Sequence, residues 1–120
     1  MKKQILIVDD DPDSLDMLSF ILTSEGFSII TAGDGLEALD IVKSVQPDLI
    51  ITDVNMPNLN GIELTKRLRE QFQSTSLPIV VMSALEREVV LEAINAGANE
   101  AMQKPMQLDL LLTLVKQILS

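Results

Sequence analysis

Five side chains stand out by type and place: Asp9, Asp10, Asp53, Ser83 and Lys104. Asp9 and Asp10 follow the apolar run Gln4 to Val8, and Asp53 closes the run that begins at Asp48 and is broken by Pro57. Acids at the tips of buried segments must be solvated or neutralised. Three carboxylates gathered together repel, and raise one another's pKa unless something positive sits among them. A hard divalent cation meets that need, because Mg²⁺ takes oxygen ligands in near-octahedral geometry, usually one or two carboxylates with waters and a phosphate. Asp10, Asp53 and a backbone carbonyl supply such a set. Lys104 adds a fixed cation and Ser83 a small hydroxyl donor, so the groups can together neutralise the oxygens of a phosphoryl group passing to a carboxylate. The chemistry they suit is formation of a phosphoaspartate.

The elements that must position these groups follow from the apolar pattern. Leu49 to Ile51 is too short for a helix and too apolar for a half-exposed strand, which predicts a central strand buried on both faces with Asp53 at its carboxyl end. Pro57 and the turn residues Asn58-Leu59-Asn60-Gly61 then force a loop. Gln4 to Val8 reads as another strand. Asp11 as N-cap, Pro12 at the first helical position and Asp13 in the first turn start a helix with Leu15, Leu18, Ile21 and Leu22 on one face. Gly26 ends it, Ser28 to Thr31 is a short strand, and Gly33-Asp34-Gly35 turns into a helix carrying Leu36, Leu39 and Val42, closed by Pro47. Gly61 opens a helix with Leu64, Leu68 and Phe72, followed by the polar loop Gln73-Ser74-Thr75-Ser76. Leu77 to Met82 predicts a fourth strand ending at Ser83-Ala84. Glu86 to Ala96 predicts a helix stopped by Gly97, Asn99 to Gln103 a weak fifth strand, and Gln107 to Leu119 the last helix.

Strict alternation with short loops predicts an α/β fold: a doubly wound five-stranded parallel sheet, five helices on both faces, right-handed crossovers. In such sheets ligands bind outside the carboxyl ends of the strands, where the winding reverses. Under an assumed strand order of 2-1-3-4-5 that point lies between the first and third strands. It gathers Asp9, Asp10 and Asp53, with Ser83 and Lys104 on the same rim.

Composition narrows the function. The 120 residues suit a single domain over 1–120 and leave no room for a second, catalytic or output domain. A net charge of −9 with no histidine argues against direct nucleic-acid binding through phosphate contacts and excludes a histidine base or metal ligand. The absence of cysteine excludes thiol chemistry and fits a reducing cytosol. Met1-Lys2-Lys3 leads into an apolar run too short for a signal peptide or a membrane span. The expectation is a soluble, cytoplasmic protein that does not contact a membrane.

Taken together, Ile5-Leu6-Ile7-Val8-Asp9-Asp10-Asp11, Asp53-Val54-Asn55-Met56-Pro57, Asn60-Gly61, Ser83-Ala84, Gly97-Ala98 and Lys104-Pro105, in this order and spacing, resemble the receiver domain of bacterial two-component response regulators. The resemblance covers the whole chain and implies a flavodoxin-like fold of the chemotaxis-regulator kind. It implies that Asp53 is the phosphoacceptor, taking its phosphoryl group from a phosphohistidine on a histidine kinase or histidine phosphotransfer protein. Asp9 and Asp10 would be the acidic pair that positions Mg²⁺, Asp10 more directly, with the Asn55 backbone carbonyl completing the protein ligands. Lys104 would contact the phosphoryl group and Ser83 would swing towards it. The peptide before Pro105 is commonly cis in the family.

Two positions depart from the family pattern. Ala101 stands where receivers usually carry an aromatic residue three before the lysine, and Met106 follows Pro105 where an aromatic is common. The usual relay through a rotating ring is therefore absent. Ser83 also has a competing role as a helix cap, since Glu86 stands three residues later in a capping-box pattern. The last helix carries more apolar residues than one face needs: Leu108, Leu110, Leu111, Leu112, Leu114, Val115, Ile118 and Leu119. That excess implies either a deeply packed helix or a docking face for a second copy or an output partner through residues 86–119. Met17 and Phe20 widen the apolar face of the first helix enough to help dock a kinase or phosphotransfer helix.

Three function classes follow. The first is a signalling module, not an enzyme in the ordinary sense, that catalyses only its own phosphorylation and dephosphorylation. The second is a receiver-like scaffold acting without phosphorylation, which Ala101 favours and the intact set of acids, hydroxyl and lysine opposes. The third is a small phosphohydrolase with an aspartate nucleophile. That chemistry wants an acid two residues after the nucleophile for proton transfer, where this chain has Asn55.

Overall fold

The computed structural model describes residues 2–72, 77–83, 87–104 and 107–120. Ten elements alternate along it: β1 (Gln4–Val8), α1 (Pro12–Ser24), β2 (Ser28–Ala32), α2 (Gly35–Ser44), β3 (Leu49–Asp53), α3 (Gly61–Phe72), β4 (Ile79–Ser83), α4 (Arg87–Ala96), β5 (Glu100–Gln103) and α5 (Leu108–Leu119). All neighbouring strands are parallel, and their order is β2-β1-β3-β4-β5. The assumed order is the observed one. Chain reversal of the winding falls between β1 and β3, where Val8 pairs with Thr52 and Asp53 is the next residue.

The sheet is buried because its three central strands are apolar at nearly every position. Their side chains alternate between two cores. Leu6, Val8, Ile50, Ile79 and Val81 face α2, α3 and α4 through Leu39, Leu64, Leu68 and Ala93. Ile5, Ile7, Leu49, Ile51, Val80 and Met82 face α1 and α5 through Leu18, Leu22, Leu111 and Val115. The wide apolar face of α5 is thus largely core: Leu111 and Val115 are fully buried, Leu112, Leu114, Ile118 and Leu119 pack beside them, and Leu110 stays 56% exposed.

Local chemistry sets the helix starts. Asp11 caps α1 by accepting from the Asp13 backbone N–H, with Pro12 following, as expected. Asp34 caps α2 by accepting from the Glu37 N–H at 2.8 Å. β2 runs one residue further than expected, to Ala32, and two strand starts also differ from expectation. β4 begins at Ile79 rather than Leu77, because Pro78 has no N–H to give the ladder; its carbonyl still accepts from Ile50 at 3.0 Å. β5 begins at Glu100 rather than Asn99, because the Asn99 side chain is used as a bracket. Asn99 Oδ1 accepts from the Ile79 N–H at 2.8 Å and from Arg69 Nη2 at 2.9 Å. Arg69 also donates to the carbonyls of Leu77 (2.7 Å) and Gly97 (2.8 Å), fastening α3 to the turn before β5. The loop 73–76, the Phe72 side chain, Ala84, Glu86 with its capping pattern, and Pro105-Met106 with the peptide before the proline lie outside the described residues.

Candidate functional site

The carboxyl ends of β1, β3, β4 and β5 form one rim. Asp9 follows β1 and is 1% exposed, Asp53 ends β3 at 7%, and Ser83 ends β4 at 3%; Asp10 reaches solvent. Lys104 follows β5 and is tied to β4 by its backbone N–H, which donates to the Ser83 carbonyl at 2.8 Å. The sheet therefore gathers Asp9, Asp10, Asp53 and Lys104 at the ends of three strands and places Ser83 at the end of the strand between Asp53 and Lys104.

Each buried carboxylate has one oxygen held by the backbone and one turned inward. Asp53 Oδ1 accepts from the Val54 N–H at 2.8 Å, and its Oδ2 lies 3.3 Å from Lys104 Nζ. Asp9 Oδ1 accepts from the Asp11 N–H at 3.0 Å. Its Oδ2 is buried without a hydrogen bond among the described residues, and Lys104 Nζ stands 3.6 Å away, close enough for charge attraction but too far for a hydrogen bond. Burial pushes the Asp9 carboxyl above its ordinary range. The Asp11 N–H and Lys104 oppose that rise, and the charges of Asp53 and Asp10 add to it.

These are the conditions that a cation relieves. One oxygen from each of Asp9, Asp10 and Asp53 can lie within 4.8 Å of the others, all three are hard donors, and one of them is buried and short of a partner. The donor set fits Mg²⁺. Asn55, whose carbonyl completes the expected ligands, is exposed on the loop two residues beyond Asp53.

Gly61 fixes the far end of that loop. Its N–H donates to the Val54 carbonyl at 3.0 Å, and a Cβ at this position would overlap the Asp53 carbonyl oxygen. Only glycine lets α3 start this close to the end of β3. A second tie was not apparent from sequence: Asn58 Nδ2 donates to Asp34 Oδ2 at 2.8 Å, linking the loop after β3 to the cap of α2.

The model of the response regulator receiver domain family matches residues 5–116. The chain belongs to this family. Among curated relatives, the receiver is 37% identical over 108 residues to the DNA-binding response regulator MtrA of Mycolicibacterium smegmatis, covering 89% of this chain and 46% of that protein. The receiver thus spans about half the length of that relative. Among solved structures, a two-component response regulator from Clostridium difficile superposes with a TM-score of 0.91 at 34% identity, covering 98% of this chain and 96% of that one. The response regulator TrrA of Thermotoga maritima, solved in complex with Mg²⁺-BeF, gives 0.86 at 33% identity, covering 97% and 98%.

Ala101 is half-buried opposite Val81, and beside it lies an open groove of about 550 Å³ lined by Met102, Gln103, Lys104, Gln107 and Leu110. Among the described residues, no aromatic side chain lines this groove. Among the described residues, no helix is long and apolar enough to cross a membrane.

Proposed function

We propose that this receiver, a single domain over 1–120, accepts a phosphoryl group on Asp53 from a phosphohistidine and uses it to switch a protein-docking surface. An Asp53 carboxylate oxygen attacks phosphorus, the P–N bond breaks, and the imidazole leaves with the electron pair. The observation that carries this reading is Asp53 itself: a nearly buried carboxylate at the reversal point of the sheet, 3.3 Å from Lys104 and grouped with two further acids. Lys104 neutralises charge on the transferred group and orients the Asp53 carboxylate. Ser83, at the end of the adjacent strand, is the hydroxyl that moves to the new oxygen. Asp9, Asp10, Asp53 and the Asn55 carbonyl would hold Mg²⁺, which supplies charge neutralisation between the acids and the phosphoryl oxygens.

The donor is a histidine kinase or a histidine phosphotransfer protein, and the place of action is the cytoplasm. The chain acts as a signalling module that turns over only its own phosphoryl group. Neither nucleic acid nor membrane is a direct partner. Intact mass after incubation with acetyl phosphate, with and without Mg²⁺, tests the reading on the parent and on Asp53→Asn. The expected result is a Mg²⁺-dependent gain of one phosphoryl group that the variant lacks. A parent that binds Mg²⁺ yet gains nothing would overturn it in favour of a phosphorylation-independent scaffold, the reading that Ala101 supports.

A further inference from the structure

The loop from Val54 to Asn60 is closed at its base by the Val54–Gly61 hydrogen bond, but its middle must be held by something else. Leu59 is 3% exposed and lies against Gly35, where a Cβ would stand 2.8 Å from the Leu59 Cβ. Asn58, just before it, adopts φ 69°, in the left-handed region that Asn tolerates better than most residues. In that conformation its amide reaches across to Asp34 Oδ2 at 2.8 Å. The other Asp34 oxygen accepts from the Glu37 N–H, also at 2.8 Å. One carboxylate therefore clamps two things at once: the start of α2 and the tip of the loop that carries Asn55. Both hydrogen bonds hold the Asp34 carboxyl below its ordinary range.

We infer that Asp34 and Asn58 form a brace that positions the Asn55 carbonyl for the cation, making them positioning residues for Mg²⁺ binding although neither is a ligand. The inference rests on the metal site proposed above. Without the brace, Leu59, its N–H to the Pro57 carbonyl at 2.7 Å and Met56 packed against the core still hold parts of the loop, but the tip loses its tie to α2, and the freedom this returns to the exposed Asn55 must be removed when the cation binds. That ordering cost appears as weaker binding.

The test is Mg²⁺ titration by calorimetry on the parent, Asn58→Gly, Asp34→Ser and the double variant. Glycine keeps the left-handed backbone and removes the amide. Serine keeps the helix cap but is too short to reach Asn58. Each single variant is expected to raise the Mg²⁺ dissociation constant about three- to tenfold, as for the net loss of one ordinary hydrogen bond at an exposed site. The double variant should be no weaker than the weaker single one, since the second substitution removes nothing further. Hydrogen exchange on the cation-free proteins should show faster exchange at the Asn55 and Met56 amides in all three variants, with α3 unchanged. A parent that binds Mg²⁺ while Asn58→Gly binds it equally well, or single effects that add, would overturn the brace alone. A parent that binds no Mg²⁺ would overturn the metal site and the brace together.

Discussion

Asp9 is the residue at which the cost of the site can be measured. A carboxyl whose folded-state pKa lies above its unfolded value binds more protons when folded, so the folded state loses relative stability as pH rises through that folded pKa. The cation-free protein therefore carries the penalty above the raised pKa, and sheds it as pH falls through that pKa towards the ordinary carboxylate range. Asp9→Asn removes the charge while Lys104 keeps Asp53 as partner. It should raise the thermal midpoint of the cation-free protein at about pH 7, by order 1 kcal/mol or roughly 4 °C. The gap between variant and parent should close as pH falls. Mg²⁺ should stabilise the parent by about 2.7 kcal/mol at 100 times its dissociation constant and leave Asp10→Asn, which lacks the more direct of the proposed ligands, almost unmoved. An unchanged midpoint in Asp9→Asn would mean that Lys104 fully compensates the buried charge. These acids were legible because buried apolar runs that end in carboxylates have few structural explanations. The Asn58–Asp34 contact was not, since each residue by itself is ordinary turn chemistry and their pairing is set by tertiary approach.

At the scale of elements, close approach of backbone to backbone does what side chains do elsewhere. Gly61→Ala places a methyl group on the Asp53 carbonyl oxygen, so α3 must retreat or the end of β3 must tilt. Overpacking of this kind costs typically about 1–3 kcal/mol. Urea denaturation should show that loss, and acetyl phosphate labelling should slow in the fraction that remains folded, because the displaced residue is the proposed phosphoacceptor. Loss of stability with an unchanged labelling rate would show that β3 holds its place and α3 alone moves. Asp34→Ala removes the cap of α2 and should lower the urea midpoint. Here the folded pKa is depressed, so the stabilisation is fully present above the ordinary value of 3.8 and is lost as pH falls through the lower folded value. The midpoints of parent and variant should therefore converge only below the usual carboxylate range. The central strands were legible as continuous apolar runs buried on both faces. β5 was faint because an edge strand covered on fewer sides needs less apolar sequence, and Glu100 and Gln103 are exposed. The start of that strand was misplaced by one residue because the Arg69–Asn99 bracket depends on α3, thirty residues away in sequence.

For the whole molecule, the open question is which surface reports the phosphoryl group when Ala101 offers no ring to rotate. The apolar excess of α5 goes mainly into the core, but Leu110 at 56%, with Leu91 at 56% and Ile94 at 43% on α4, leaves apolar side chains on both helices that flank β5. An interface of standard size covers about 800 Å² per partner, roughly one eighth of the chain's 6573 Å² surface. Self-association there must overcome repulsion between copies that each carry a net charge of −9, and phosphorylation of Asp53 adds about one more negative charge, since the acyl phosphate dianion replaces a carboxylate that is already charged. An apolar contact opposed by like charges strengthens when salt screens the repulsion, whereas a contact built on ion pairs weakens. Sedimentation velocity of the phosphorylated receiver should therefore show association that increases with ionic strength. Leu91→Lys together with Ile94→Lys should abolish it while leaving the rate of acetyl phosphate labelling intact, since both stand on α4 and neither lines the groove beside Lys104. A phosphorylated parent that stays monomeric at every ionic strength would exclude a second copy as the occupant of this face and direct the search to a different partner protein.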